Sequence, residues 1–174
     1  MNEFLSEENL SLHKEYIRTK RLRYSIIEAS FPSLSSADVG RIYRMKIPTR
    51  DKRDAIELMA EIKLHDIFFS SFTESPYARS PVVSMRYGSE ANFLNTVFRA
   101  AMSGRDGFVT IFCSGDDITV DFVRECERAF RSYTPMLAVD VCEHAYFMDY
   151  GFDKERYLLS ALPYLDIARL SATT

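Results

Sequence analysis

Hydrophobic residues recur with helical spacing through the first half of the chain. Between residues 6 and 30 apolar and aromatic side chains return every three or four positions, behind Ser6, which can cap a helix. A second segment of the same kind runs from Asp51 to Phe72. The pattern predicts two long helices, paired as an antiparallel hairpin over residues 6–72.

A shorter helix is expected between these two. Pro32 ends the first helix, and Ser35 or Ser36 can cap a new one. Pro48 closes that helix after about Lys46.

The second half of the chain mixes helical and strand patterns. Tyr87 to Ala101 reads as a capped amphipathic helix. Short apolar runs predict strands at residues 107–113 and 117–122 around a turn at residues 114–116, and a third, partner strand at residues 136–139. Residues 123–132 can form a helix, and a last helix is predicted from about Asp153 to Leu170, interrupted by Pro163.

These patterns predict an α+β protein. An N-terminal helical hairpin, residues 1–75, is followed by an α/β half, residues 85–174, that holds a small three-stranded antiparallel sheet. Residues 73–85 contain Pro, Ser and Arg and form the best boundary between the two halves.

Composition excludes several classes of protein. The chain has 174 residues, 47% of them hydrophobic, and a net charge of −3, so it lacks the basic excess of a nucleic-acid-binding protein. It has no run of about 18 apolar residues, and its polar, acidic start does not resemble a signal peptide. We therefore expect a cytoplasmic protein without a membrane or nucleic-acid partner, whose cysteines are reduced: Cys113, Cys126 and Cys142.

One carboxylate and one imidazole stand out where the third strand meets a helix. The apolar run Met136 to Val139 leads to Asp140, and His144 follows four residues later. The two side chains can face one centre, where a bound cation would offset the cost of burying both. The simpler alternative is an Asp hydrogen-bonded to a core His.

The residues around this pair carry a resemblance. Asp140-Val-Cys-Glu-His144-Ala-Tyr146 resembles the D-x-W-E-H-A-Y signature of the iron/manganese superoxide dismutases, in which the Asp and the His are metal ligands. Residues 134–137, Thr-Pro-Met-Leu, are similar to the T-P-L-L that precedes the signature. Asp149-Tyr150 and Tyr157 extend the similarity downstream.

The resemblance also assigns roles to the other two histidines. His13 ends a stretch similar to I-S-x-E-T-L-x-x-H, and His65 lies in Leu-His-Asp-Ile-Phe-Phe, similar to N-H-x-x-F-W. A lone His on a helix is usually a surface or core residue, but here every His falls on a ligand position. The implied cofactor is one Fe or Mn ion per subunit, bound by His13, His65, Asp140 and His144.

Several positions depart from the family pattern. The gateway His and Tyr of the family correspond to Ile17 and Arg21, so no catalytic residue is expected beyond the metal site. Cys142 replaces a Trp, Phe108 stands in the place of another, and Glu61 occupies the position of the iron-type Gln. The residues expected around the ligands are Glu143, Glu61, Cys142, Phe108 and Tyr146.

The implied function is a superoxide dismutase that converts superoxide to O2 and H2O2. The alternative is a metal-binding, dismutase-like protein with little or no dismutase activity, serving storage, sensing or a structural role. The resemblance further implies a homodimer, because in the family the Glu before the last ligand bonds the same His of the partner subunit. Glu143-His144 retains that pair, although a Glu at this position can also be an ordinary surface residue.

Overall fold

The first half of the molecule is helical. The computed structural model describes residues 4–131 and 133–170. Helices α1 (Glu7–Ser30) and α3 (Thr49–Ser70) pack against each other and are linked through the short helix α2 (Val39–Arg44). The Ser6 hydroxyl caps α1 by accepting a hydrogen bond from the Asn9 amide at 3.1 Å, as the sequence predicts.

The start of α2 differs from the prediction. Its cap is Asp38, whose carboxylate accepts a 2.7 Å hydrogen bond from the Arg41 amide, so neither Ser35 nor Ser36 caps it. Residues Pro32–Leu34 form a 3-10 turn that buries Leu34. The Ser35 amide closes that turn, which displaces the helix start by several residues.

The predicted boundary segment contains the beginning of a helix. Helix α4 (Pro81–Tyr87) follows Ser80, whose hydroxyl accepts from the Val83 amide at 3.3 Å. Gly88, at φ 79°, ends it in a left-handed conformation. The predicted helix at Tyr87 therefore starts later, as α5 (Glu90–Ser103).

A three-stranded antiparallel sheet forms the centre of the second half. Its strands are β1 (Phe108–Ser114), β2 (Asp117–Val123) and β3 (Leu137–Asp140), in the order β2-β1-β3. Phe108 lies opposite Val123 on one side and Asp140 on the other. With the helices before and after it, this sheet confirms the predicted α+β fold.

The remaining predicted helices are shorter than expected. Val123 is the last residue of strand β2, and residues Cys126–Phe130 form a 3-10 helix instead of the predicted α-helix. After α6 (Glu143–Tyr150), helix α7 (Lys154–Ala161) ends before Pro163, and the chain continues in 3-10 turns. The missing amide of proline explains this early end.

The packing brings both halves of the chain to one place. The larger hydrophobic cluster combines α3 residues such as Phe68 with all three strands and with α5, α6 and α7. Within the described ranges, no helix is both long and apolar enough to cross a membrane. Helices α1 and α3 meet strand β3 and helix α6 at the position of the four predicted ligands.

Candidate metal centre

The four predicted ligands come from four different elements. His13 lies on α1 and His65 on α3, and both imidazoles are buried. Asp140 is the last residue of β3 and is fully buried, and His144 is the second residue of α6. The short Val141-Cys142 link between strand and helix turns His144 back toward Asp140.

Their donor atoms converge on one point. The Nε2 atoms of His13, His65 and His144 each lie 3.2 Å from Asp140 Oδ2. One candidate ligand atom from each of the four residues can be chosen so that all lie within 4.8 Å of one another. Ligand atoms about 2.0 to 2.2 Å from one ion have separations in this range.

Two of these atoms lack a hydrogen bond, as expected for atoms that bind a cation. Among the described residues, His13 Nε2 and Asp140 Oδ2 are buried atoms that make no hydrogen bond of acceptable geometry, although they lie 3.2 Å apart. Buried polar atoms in proteins are nearly always bonded. An ion between the imidazoles and the carboxylate would satisfy both atoms at once.

The surroundings keep the Asp140 carboxylate ionised and shift the pKa values of His13 and His144 in opposite directions. Burial raises the pKa of Asp140, but its contacts with His13, His144 and His65 outweigh this and hold the pKa well below its usual value. Burial lowers the pKa of His13. For His144 burial also acts downward, yet the neighbouring Asp140 carboxylate raises the pKa overall.

Hydrogen bonds orient two of the ligands. The His65 Nδ1 lies 2.8 Å from the Glu61 carbonyl, so this nitrogen donates and Nε2 is left unprotonated for a metal. The Cys142 amide donates to Asp140 Oδ1 at 2.9 Å, and the Tyr157 hydroxyl donates to the Asp140 carbonyl at 3.0 Å. These bonds hold the imidazole and the carboxylate in the orientation that brings their free atoms together.

Aromatic side chains shield the inner side of the cluster. The rings of Phe68 and Phe69 lie 5.2 and 5.0 Å from that of His13. Phe108 meets the His65 ring edge-on at 5.0 Å. The Phe that replaces a Trp thus still contacts a predicted ligand.

A cavity of about 430 Å³ opens on the outer side of the cluster. It reaches His65 and His144 and has Arg124 as a cationic side chain in its wall. Two thiols also face it, those of Cys126 and Cys142, and burial raises the pKa of both. The remaining lining residues are Tyr16, Glu61, Asp106, Gly107, Phe108 and Glu143.

The other predicted residues divide into two groups. Glu61, Cys142, Phe108 and Glu143 line the cavity, but Tyr146 is buried against Tyr157, with ring centroids 4.9 Å apart. The two positions that correspond to the family gateway do not line it. Ile17 is buried in the protein, and Arg21 pairs with Asp66 at the surface.

The sequence motifs did not indicate the aromatic residue at the cavity. Tyr16, not Ile17 or Arg21, lies over the histidine cluster, with its ring 4.3 Å from that of His144. Its position three residues after His13 places it on the same side of α1, which was the available signal. Lys20, one turn further along, pairs with Glu61 at 2.9 Å.

Comparison with known protein families agrees with the geometry. Residues 79–172, more than half of the chain, match the family described as iron/manganese superoxide dismutases, C-terminal domain. That segment contains Asp140 and His144, whereas His13 and His65 precede it. A search of curated proteins gave no match to the chain. The chain belongs to the iron/manganese superoxide dismutase family.

Proposed function

We propose that this protein is a superoxide dismutase in which His13, His65, Asp140 and His144 bind one iron or manganese ion. The observation that carries the proposal is the meeting of three imidazole nitrogens with a single buried carboxylate oxygen. Three neutral imidazoles and one carboxylate bind a divalent ion with a net charge near +1. The reaction is proposed from the family to which the chain belongs, the iron/manganese superoxide dismutases.

The residues of the chain prepare the site for that reaction. A bound iron or manganese ion would supply the one-electron chemistry by which two superoxide ions and two protons become O2 and H2O2. Asp140 provides the negative charge, and the Cys142 amide and Tyr157 hydroxyl keep it oriented. Phe68, Phe69 and Phe108 exclude water from the inner side.

The cavity supplies a route for a small anion. It extends to His65 and His144 from the outside, and Arg124 contributes a positive charge to its wall. An anion such as superoxide is attracted by that charge. Carboxylates face the cavity as well: Glu61 pairs with Lys20 at 2.9 Å, whereas Asp106 and Glu143 carry negative charge that opposes the approach of an anion.

Dismutase activity per bound metal tests the proposal. The protein is loaded separately with iron and with manganese, and superoxide consumption is divided by the metal content of each sample. We expect catalytic turnover with at least one of the two metals and its loss in His65→Ala. Full metal content without turnover above that of His65→Ala for either ion would contradict the dismutase assignment.

A second function has specific support. The two gateway positions hold Ile17 and Arg21, which do not reach the cavity. In the place of the iron-type Gln, Glu61 accepts a hydrogen bond from Tyr16 and pairs with Lys20, so its carboxylate is not a donor toward a metal-bound solvent molecule. A metal-binding protein without dismutase activity would show metal binding but no turnover in the same assay.

A homodimer is part of the proposal. Glu143 is half-buried at the cavity, and large apolar side chains are exposed near it, with Phe147 43% and Phe152 78% accessible. Such side chains support a contact surface at this end of the molecule.

The cytoplasmic location stays a prediction.

A further inference from the structure

His144 is held less firmly by burial than the other three predicted ligands. Its side chain is 29% exposed, whereas the side-chain exposure of His13, His65 and Asp140 is at most 1%. It also lies in the first turn of α6, a helix of only eight residues. A ligand in this position needs support from neighbouring side chains to keep its ring in place.

The Tyr16 ring packs on one face of this imidazole. It stacks on the ring of His144 at 4.3 Å, with 27° between the two planes. The ring of His65 is also stacked with His144, at 5.6 Å and 22°. Tyr16 is itself part-buried, and both it and His144 line the cavity.

Two charged residues hold Tyr16 in this position. Its hydroxyl donates a 2.6 Å hydrogen bond to Glu61 Oε1, and the second oxygen of Glu61 pairs with Lys20 Nζ at 2.9 Å. Lys20 Nζ in turn lies 4.8 Å from the centre of the Tyr16 ring. The three side chains thus form a closed set of contacts between α1 and α3.

Glu61 connects this set to a second ligand. Its backbone carbonyl accepts a hydrogen bond from His65 Nδ1, while its side chain anchors Tyr16. One residue of α3 therefore helps to orient two imidazoles, the first directly and the second through the tyrosine.

We propose that Tyr16, anchored by Glu61 and Lys20, is a positioning residue that holds the His144 imidazole in its metal-binding orientation. This inference rests on the metal centre proposed above and extends it to residues outside the ligand set. Tyr16 keeps His144 Nε2 directed at Asp140 Oδ2, 3.2 Å away.

The test uses Co(II) bound to the full chain as a spectroscopic probe. Tyr16→Leu removes the aromatic ring but keeps apolar bulk, and Tyr16→Phe removes only the anchoring hydroxyl. We expect Tyr16→Leu to release Co(II) to excess chelator about tenfold faster and to change its visible absorption bands. Tyr16→Phe should accelerate release by about threefold, because the ring remains but its hydrogen bond to Glu61 is lost.

Tyr43→Phe and Tyr43→Leu are the matched controls, since Tyr43 lies on α2 and is 44% exposed. They should leave the Co(II) spectrum and release rate unchanged. Thermal unfolding of the metal-free variants separates positioning from general stability, because a purely structural role of Tyr16 would lower the unfolding temperature and leave the spectrum unchanged. That result would overturn the inference.

Two further outcomes are decisive. Wild-type spectra and release rates in both Tyr16 variants would overturn the role of Tyr16 while leaving the metal centre intact. If Tyr16→Leu does not fold, a wild-type Co(II) release rate and spectrum for Tyr16→Phe would be enough to reject the proposed role of Tyr16. Failure of the unmodified protein to bind Co(II) would reject the metal centre and the inference together. The Co(II) spectrum and the release rate do not depend on dismutase activity.

Discussion

Asp140 is the residue on which the site depends most. Within the described part of the chain it is the only fully buried carboxylate, and its Oδ2 atom faces three imidazoles without forming a hydrogen bond. Burying a charge requires partners that compensate it. The protein supplies hydrogen bonds to Oδ1 and to the backbone carbonyl, which leaves Oδ2 for a cation.

Replacing Tyr157 by Phe tests the support of Asp140. The hydroxyl of this fully buried Tyr donates to the Asp140 carbonyl, so its loss should destabilise the protein by about 1 to 3 kcal/mol. Metal affinity should fall by about tenfold, because the loop that carries the ligand is less well held. Chemical denaturation and competition with a metal chelator measure the two effects.

Tyr87→Phe is the control for this variant. Tyr87 donates a 3.1 Å hydrogen bond to the Ile118 carbonyl in another part of the structure. Its replacement should lower stability without changing metal affinity. Equal losses of metal affinity in the two variants would mean that Tyr157 has no special role at the site.

At the scale of single residues, short motifs predict which side chains are ligands, but they do not predict which side chains pack around them. Short signatures predict all four proposed ligands, since ligand type and spacing are local properties of the sequence. The same motif comparison predicts that Ile17 and Arg21 stand in place of the gateway residues. The spacing of three residues places Tyr16 on the same side of α1 as His13, but its contact with His144 depends on how α1 packs against α6, which the local sequence does not record.

At the scale of elements, the start of β1 is tightly constrained. The Gly107 carbonyl accepts hydrogen bonds from the Val141 amide at 3.0 Å and from Cys142 Sγ at 3.6 Å. Its φ is 149°, and a Cβ atom there would lie 2.3 Å from the Val123 carbonyl oxygen. Glycine at this position lets β1 approach both the end of β2 and the loop between Asp140 and His144.

Gly107→Ala should therefore be strongly destabilising. The added methyl group forces β2 away from β1, at a cost of about 3 kcal/mol in the free energy of unfolding. Gly115→Ala provides a comparison, because Gly115 also has a positive φ, 61°, but a Cβ there meets no atom within 4 Å. We expect a cost of only about 1 kcal/mol for that variant. Similar midpoints of denaturation for both variants would refute the steric argument.

Element prediction succeeded where the periodic segments are long. The 24 residues of α1 and the 22 of α3 repeat their apolar pattern over many turns, and the three strands are marked by short apolar runs. Shorter features were missed. The start of α2 at Asp38 and the start of α4 at Ser80 depend on single capping hydrogen bonds, and several nearby Ser and Asp residues are equally suitable caps by sequence.

At the scale of the whole molecule, the site connects two halves of the chain. α1 and α3 contribute two proposed ligands, and β3 and α6 contribute the other two. Binding of a metal to the folded state alone stabilises the protein. The site is therefore expected to hold the helical half against the sheet.

Glu143→Ala tests the proposed homodimer. If Glu143 accepts a hydrogen bond from His144 of the partner subunit, its loss should weaken the dimer and lower metal occupancy together, each by about tenfold in affinity. Light scattering and elemental analysis measure the two quantities. Glu155→Ala, which removes an exposed Glu from the first turn of another helix, should change neither. A Glu143→Ala protein that stays dimeric and fully metallated would exclude the cross-subunit role.

The metal content of the protein purified without chelator tests the central claim most directly. We predict about one iron or manganese ion per chain, held by a set of His and Asp ligands typical of such ions. Single replacements of His13, His65, Asp140 or His144 should each abolish stoichiometric binding while the protein remains folded. A wild-type protein that binds neither ion even after reconstitution, or a His65→Ala protein that retains the full complement, would contradict the proposed centre.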